Sequence, residues 1–339
     1  MTNSTLLNAP LRSADVWRGS DMQGEQGWIA QFSNAELNEL DNTIKGLATH
    51  YENPVGVSHK DFSMPLLEAK FKAIRIELED GRGFQVLRGL PVERYSLEQS
   101  KIMLWALSLL LGSPQEQDRA GNLMHSVVNT GKKVTANSST RGYETDDELT
   151  FHNDGGDAFM LLCLKTAVSG GVSKLVSVSQ LFNEILLRDP QLAKVLQEPF
   201  YFDTRSQHKD GRQTQASPIM NFFEGKLSAL YKRQYIETAQ RFPNTPRLTK
   251  EQIEAIDLID ELCNDPSIQL SFSMQPGDVQ IGNNYSIFHA RTKYQDHAED
   301  SLKRHLLRTW ITLPNGRSLP PIFAQTREFS TSYTRRLAA

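Results

Sequence analysis

The sequence predicts an α+β chain, helical towards its N-terminal end and built on antiparallel sheet beyond about residue 150. In the first third, capping signatures open stretches whose apolar residues recur at helical spacing. From about residue 150 onward, short apolar runs alternate with Gly, Pro and Asp, a rhythm that suits antiparallel strands rather than a doubly wound parallel fold.

Each element has its own justification. Ser33-Asn-Ala-Glu36 is a capping box, and Leu37, Leu40, Ile44 and Leu47 follow it on one stripe. Gly83-Phe-Gln-Val-Leu-Arg-Gly89 reads as a strand running into a turn at Pro91. Ser96-Leu-Glu-Gln99 opens a second helix, which Gly112 ends. Strands are predicted at Phe159 to Leu164, Val172 to Val176, Ile268 to Phe272, Val279 to Ile281 and Leu306 to Ile311. A third capping box, Thr249-Lys-Glu-Gln252, starts a helix with Ile253, Ile256, Ile259 and Leu262 on its stripe. The polar stretch from Thr130 to Asp147, with Gly131 and Gly142, has too little apolar surface to order itself and is a lid candidate.

Composition narrows the function. The 339 residues are 39% hydrophobic, enough for a sizeable core. Net charge is −3 with Lys and Arg scattered, which argues against a nucleic-acid or anionic-membrane partner. The run Ile102 to Leu111 is too short to span a bilayer. Met1-Thr-Asn-Ser-Thr-Leu-Leu-Asn has no basic region before an apolar core, so no secretory signal is seen and a cytoplasmic location is expected. Cys163 and Cys263 support neither a disulfide nor a zinc site. A homo-oligomer stays open.

His152-Asn-Asp154 is the segment that carries chemistry. Two histidines and one carboxylate can occupy one face of a metal ion and leave three positions open, the arrangement of non-haem iron(II) centres that activate oxygen. On extended backbone, residues two apart point to the same side. The chain holds other such pairs, His59-Lys-Asp61 and His208-Lys-Asp210, with Glu versions at His50-Tyr-Glu52 and His297-Ala-Glu299. Context separates them, because only His152-Asn-Asp154 runs through two glycines into an apolar strand, Ala158 to Leu164, which gives a rigid support.

The ordered set His152-Asn-Asp154, Ser169-Gly-Gly-Val-Ser173, Pro276-Gly-Asp278, Asn283-Asn284, Phe288-His-Ala-Arg291 and Arg304-x3-Arg308 resembles the taurine dioxygenase and clavaminate synthase group of iron(II)- and 2-oxoglutarate-dependent oxygenases. The resemblance covers roughly residues 80 to 313. It implies a double-stranded β-helix, or jelly-roll, core over residues 81–339. A helical region over residues 1–80 is expected to pack on that core, with a helical insertion at about 178–265 and the whole forming one functional domain. It also implies His152, Asp154 and His289 as iron ligands, with 2-oxoglutarate and O2 as co-substrates. The expected outcome is hydroxylation of a small-molecule C–H with release of succinate and carbon dioxide. Desaturation or cyclisation is the alternative, and a non-catalytic small-molecule-binding barrel is the reading from a different class. Halogenation is disfavoured because Asp154 keeps the carboxylate ligand.

The distal carboxylate of 2-oxoglutarate needs a permanently charged fork, which Arg supplies and Lys does not. Arg304, first of the paired arginines, is assigned to it, with Ser173 adding a hydroxyl. Arg308, on the same strand face, is a candidate either for an acid group of the prime substrate or for a structural ion pair. Glu148 is a candidate contact for a substrate amine or amide, or else an exposed loop carboxylate beside Asp146 and Asp147, and Arg291 is read as pointing to the site or binding Asp296. Asn284 and Asp278 are expected to fix backbone turns, and Trp105 and Trp310 to be core.

Overall fold

The computed structural model of the chain describes residues 6–50, 53–131 and 142–338. The middle of the lid candidate, residues 132–141, lies outside them. Its described ends are joined, since Thr130 N donates to Glu144 O at 2.9 Å.

All three capping boxes form, at Ser33, Ser96 and Thr249, each with the cap side chain accepting from the third helical amide and Glu or Gln returning the bond. They start the helices Asn34–Ala48, Leu97–Leu111 and Lys250–Cys263. Ile256, Ile259 and Leu262 of the last are buried, but Ile253, on its first turn, is exposed. The helix Pro65–Asp80 had no capping box to announce it and begins on proline.

Two sheets organise the chain. The larger runs in the order Ile29–Gln31, Phe84–Arg88, Val279–Asn283, Ala158–Lys165, His305–Thr312, Ser113–Gln115, with Met124–Val127 also paired to His305–Thr312. The smaller runs Leu270–Phe272, Ser173–Ser177, Ile287–Arg291, Leu149–His152. Pairing in both is antiparallel, apart from the parallel edge pair Ile29–Gln31 with Phe84–Arg88. That edge strand comes from the N-terminal region, which is therefore not helical throughout.

The two-residue period of a strand sorts the side chains. Met160, Leu162, Ile281 and Leu307 pack in one apolar cluster with Ile44, Phe71, Ile74 and Leu104 of the N-terminal helices. Their neighbours Leu161, Gln280 and Arg308 face the other way, into a cavity shared with His289, Ser173 and Arg291 of the smaller sheet. On that sheet's far side, Val176, Phe288 and Phe151 pack with Leu181, Phe182, Tyr231 and Ile259 of the segment between Ser177 and Leu270. The site thus lies between the sheets, with a separate apolar core behind each. Trp105 is core, its indole N–H bonded to Val57 O at 2.9 Å. Among the described residues no helix is long and apolar enough to cross a membrane.

Candidate active site

His152 ends a strand of the smaller sheet, and Ala158 begins a strand of the larger one. The motif between them is the crossing from one sheet to the other. Gly156 sits there at φ +77°, and a Cβ on it would lie 2.4 Å from Gln115 Nε2. A Cβ on Gly155 would lie 2.6 Å from the Trp310 ring. Both glycines are therefore required for the chain to turn this closely against its neighbours.

Asn153 and Asn284 fasten the crossing. Asn153, fully buried, exchanges bonds with the insertion: its amide donates to Tyr231 O at 3.1 Å and its Oδ1 accepts from Tyr231 N at 2.6 Å. Its Nδ2 donates to Asn284 O at 2.5 Å and Ile287 O at 3.3 Å. Asn284 Nδ2 donates to Gly155 O at 2.7 Å, and its Oδ1 accepts from Asp154 N at 3.2 Å. Asn284 fixes the backbone of a metal-binding candidate, as expected of it. Asp278 likewise holds a turn, accepting from Gln275 N and from the Arg88 guanidinium, each at 2.8 Å.

His289 is paired in register with His152 across the smaller sheet. One donor atom from each of His152, Asp154 and His289 lies within 4.8 Å of the others, the one such cluster among the described residues. His208 instead pairs with Asp210 at 2.7 Å, and His59 stacks on Phe62. His152 Nδ1 is 2.8 Å from Thr150 O; a carbonyl only accepts, so Nδ1 carries the proton and Nε2 keeps its lone pair for a metal. Burial pushes the His152 imidazole down to about 4, and burial together with neighbouring His152 lowers His289 well below the usual range. Both rings are therefore neutral at pH 7, the form that ligates. Burial alone would raise Asp154, but the Arg308 guanidinium, with His289 and His152, holds it well below the usual carboxylate range. The three donors suit a divalent cation of the iron class.

Arg308 is anchored more tightly than a pure substrate contact would be. Its Nη1 lies 3.2 and 3.1 Å from the two Asp154 oxygens, and its Nε donates to Gln117 Oε1 at 2.8 Å. Arg304 is 6% exposed and its Nη1 has no hydrogen-bond partner. It lines the cavity that reaches Asp154, His289, Ser173, Arg291 and Arg308. Burial lowers the Arg304 guanidinium, and burial with Arg304 nearby brings Arg291 down to about 10, as expected for two cations sharing a dry pocket. Arg291 does not bind Asp296; that carboxylate accepts from Arg304 N at 2.7 Å. Glu148 is exposed and lines neither of the cavities that reach Asp154.

A second cavity meets His152 and Asp154 from the other side, lined by Lys232, Arg308, Trp310 and Arg327. Trp310 is buried, as expected of a core residue, and also lines this cavity, with the guanidiniums of Arg308 and Arg327 at 5.2 and 5.7 Å from its ring. Lys232 is brought there by the insertion, which bridges to His152. Its Nζ is 3.5 Å from Glu328 Oε1. Sequence reasoning missed Lys232, Arg327, Gln117 and Asn153. Only Asn153 had a signal, its place between two ligand candidates.

Residues 43–310 match the family described as taurine catabolism dioxygenase TauD, TfdA family. The FR-33289 synthase of Streptomyces rubellomurinus is 29% identical over 331 residues, covering 93% of this chain and 94% of that protein. The taurine hydroxylase-like protein SAT17 of Stachybotrys chartarum is 27% identical over 315 residues, covering 89% and 80%. In fold the chain is similar to asparagine oxygenase, solved with Fe(II), 3-hydroxyasparagine and succinate, at a TM-score of 0.67 and 18% identity over 84% of this chain and 93% of that one. It is also similar to the non-haem iron oxygenase OrfP, solved with Fe and α-ketoglutaric acid, at 0.59 and 16% over 84% and 93%. With the family matched along most of its length, the chain belongs to the taurine dioxygenase (TauD, TfdA) family of iron(II)- and 2-oxoglutarate-dependent dioxygenases.

Proposed function

We propose that this dioxygenase hydroxylates a C–H bond of a small anionic molecule, with iron on His152, Asp154 and His289 and the distal carboxylate of 2-oxoglutarate on Arg304 and Ser173. One observation carries the reading: a single cavity joins the three-donor cluster to a buried guanidinium whose Nη1 has no partner. Leaving a buried charge without an acceptor is costly unless a ligand supplies one, and a keto diacid supplies a carboxylate at the far end of the pocket. When bound, iron(II) and 2-oxoglutarate together reduce O2 and oxidise the substrate, releasing succinate and carbon dioxide.

The chain's own residues orient and select. Thr150 O and the strand register hold the His152 ring, while Arg308 holds Asp154 and lines both cavities. The substrate cavity gathers Lys232, Arg308 and Arg327 against Asp154 and Glu328. Once Asp154 serves the metal, cationic groups outnumber anionic ones there, which favours a substrate with a negative group. The two facing sheets are read as the double-stranded β-helix of the family, with residues 1–80 packed on it and residues 178–265 inserted, acting as one domain in the cytoplasm. Fold relatives solved with hydroxylated amino acids and succinate favour hydroxylation over desaturation or cyclisation.

The test is anaerobic titration of the iron(II)-loaded protein with 2-oxoglutarate, followed by air and a panel of small acids. A visible charge-transfer band and acid-dependent succinate release are expected. Iron binding with no response to 2-oxoglutarate would reject the dioxygenase reading, and turnover of amines in preference to acids would reject the substrate charge.

A further inference from the structure

Arg291 is the second cation of the co-substrate pocket, and its bonding pattern differs from that of Arg304. It ends the strand that carries His289, pairs in register with Ser173, and is 6% exposed. One nitrogen, Nη2, donates to Thr145 O at 3.0 Å and also to Asp147 O. Those carbonyls belong to the segment that enters the metal-bearing strand Leu149–His152. The other two nitrogens, Nε and Nη1, are buried without a hydrogen-bond partner, as is Nη1 of Arg304. Tyr294 ties the two arginines together, with Arg291 Cζ at 4.7 Å and Arg304 Cζ at 5.1 Å from its ring centroid. Asp296 has one oxygen on Arg304 N and the other without a partner, so it neutralises neither fork by hydrogen bonding.

One charged hydrogen-bonding fork is enough for a carboxylate, and a second buried guanidinium with two idle donors is costly to keep unless it too meets an anion. We propose that Arg291 is a positioning residue with two duties: Nε and Nη1 take part in holding the distal carboxylate of the co-substrate beside Arg304, and Nη2 passes occupancy of that pocket to the chain at Thr145 and Asp147. This rests on the assignment of the Arg304 pocket to 2-oxoglutarate. Filling the pocket draws the guanidinium into one orientation, which fixes the two carbonyls it binds and so steadies the strand that presents His152. A guanidinium can bridge in this way because its donors lie in one rigid plane; an ammonium or an amide cannot serve both sides at once.

The experiment compares 2-oxoglutarate with pyruvate, a 2-keto acid that lacks the distal carboxylate, on the iron(II)-loaded protein under anaerobic conditions. Affinity is read from the visible band, and hydrogen exchange is followed on a peptide spanning residues 142–149. In the parent protein 2-oxoglutarate slows exchange in that peptide and pyruvate does not. Arg291→Gln should weaken 2-oxoglutarate by about ten- to a hundred-fold, the range for a lost charged hydrogen bond, with pyruvate affinity unchanged and the exchange response gone. Arg291→Lys should retain most of the preference for 2-oxoglutarate and still lose the exchange response. Equal weakening of both keto acids, or an exchange response that survives in Arg291→Gln, overturns the proposal. Arg304→Gln is the control: if it leaves the preference for 2-oxoglutarate over pyruvate intact, the pocket assignment fails and this proposal with it. If Arg304→Gln abolishes the preference and Arg291→Gln leaves it untouched, only the role of Arg291 falls.

Discussion

Asn153→Ala tests how the crossing between the sheets holds the proposed metal ligands. The substitution leaves Tyr231 N without its acceptor at 2.6 Å and Asn284 O without its donor at 2.5 Å, and it removes a weaker bond to Ile287 O at 3.3 Å. All of these groups are inside the protein, where water cannot replace the lost partner. An orphaned buried donor or acceptor costs about 1–3 kcal/mol, so the two strong bonds together predict a loss of about 2–6 kcal/mol. With about 2.1 cal/mol/K per residue of unfolding entropy over 339 residues, that corresponds to a fall in Tm of about 3–8 °C. Asn153 also sits between His152 and Asp154, so looser backbone should weaken iron by about 10–100-fold, the range seen when groups supporting metal ligands are removed. Thermal melts followed by circular dichroism, with and without iron(II), and anaerobic competition against a chelator measure both quantities. Asn122→Ala, at the exposed Asp118 loop, is the control. A melting temperature within about 1 °C of the parent, together with unchanged iron affinity, would refute the claim that this network sets the metal geometry.

Three further outcomes follow from the site. Alanine at His152, Asp154 or His289 should abolish iron binding in anaerobic equilibrium dialysis while His208→Ala binds normally, because only the first three share one donor cluster. Lys232→Met should raise KM for the anionic substrate by about ten-fold or more with kcat less affected, measured by succinate release, if the ammonium contributes a charged contact in the ground state. Neither cysteine should react with a thiol reagent at pH 8 until denaturant is added: burial pushes the Cys163 thiol up to about 12 and the Cys263 thiol well above the usual value.

The helix starts were legible because a capping box is local: Ser33, Ser96 and Thr249 each need only a Glu or Gln three residues on, and each formed as read. The helix Pro65–Asp80 carried no such signal and was missed. Strand positions were legible from apolar runs bounded by breakers, since burial on a sheet face leaves that pattern in the chain. Which strands meet was not, because pairing joins residues as distant as His152 and His289.

The sequence by itself determined the chemistry that is available. His152-Asn-Asp154 followed by two glycines and an apolar run, with a later His and two arginines four apart, specifies donors, a tight crossing and permanent cations, all of them properties of residue type and short spacing. Tertiary structure decided what each group faces. It turned Arg308 onto Asp154, gave Arg291 the carbonyls of Thr145 and Asp147, brought Lys232 to the substrate side through the bridge to His152, and left Glu148 exposed outside the cavities. The physical reason is that a charge acquires a role from its partners within a few ångströms, and in this fold those partners come from other strands and from the insertion, at separations where the order of residues along the chain carries no distance.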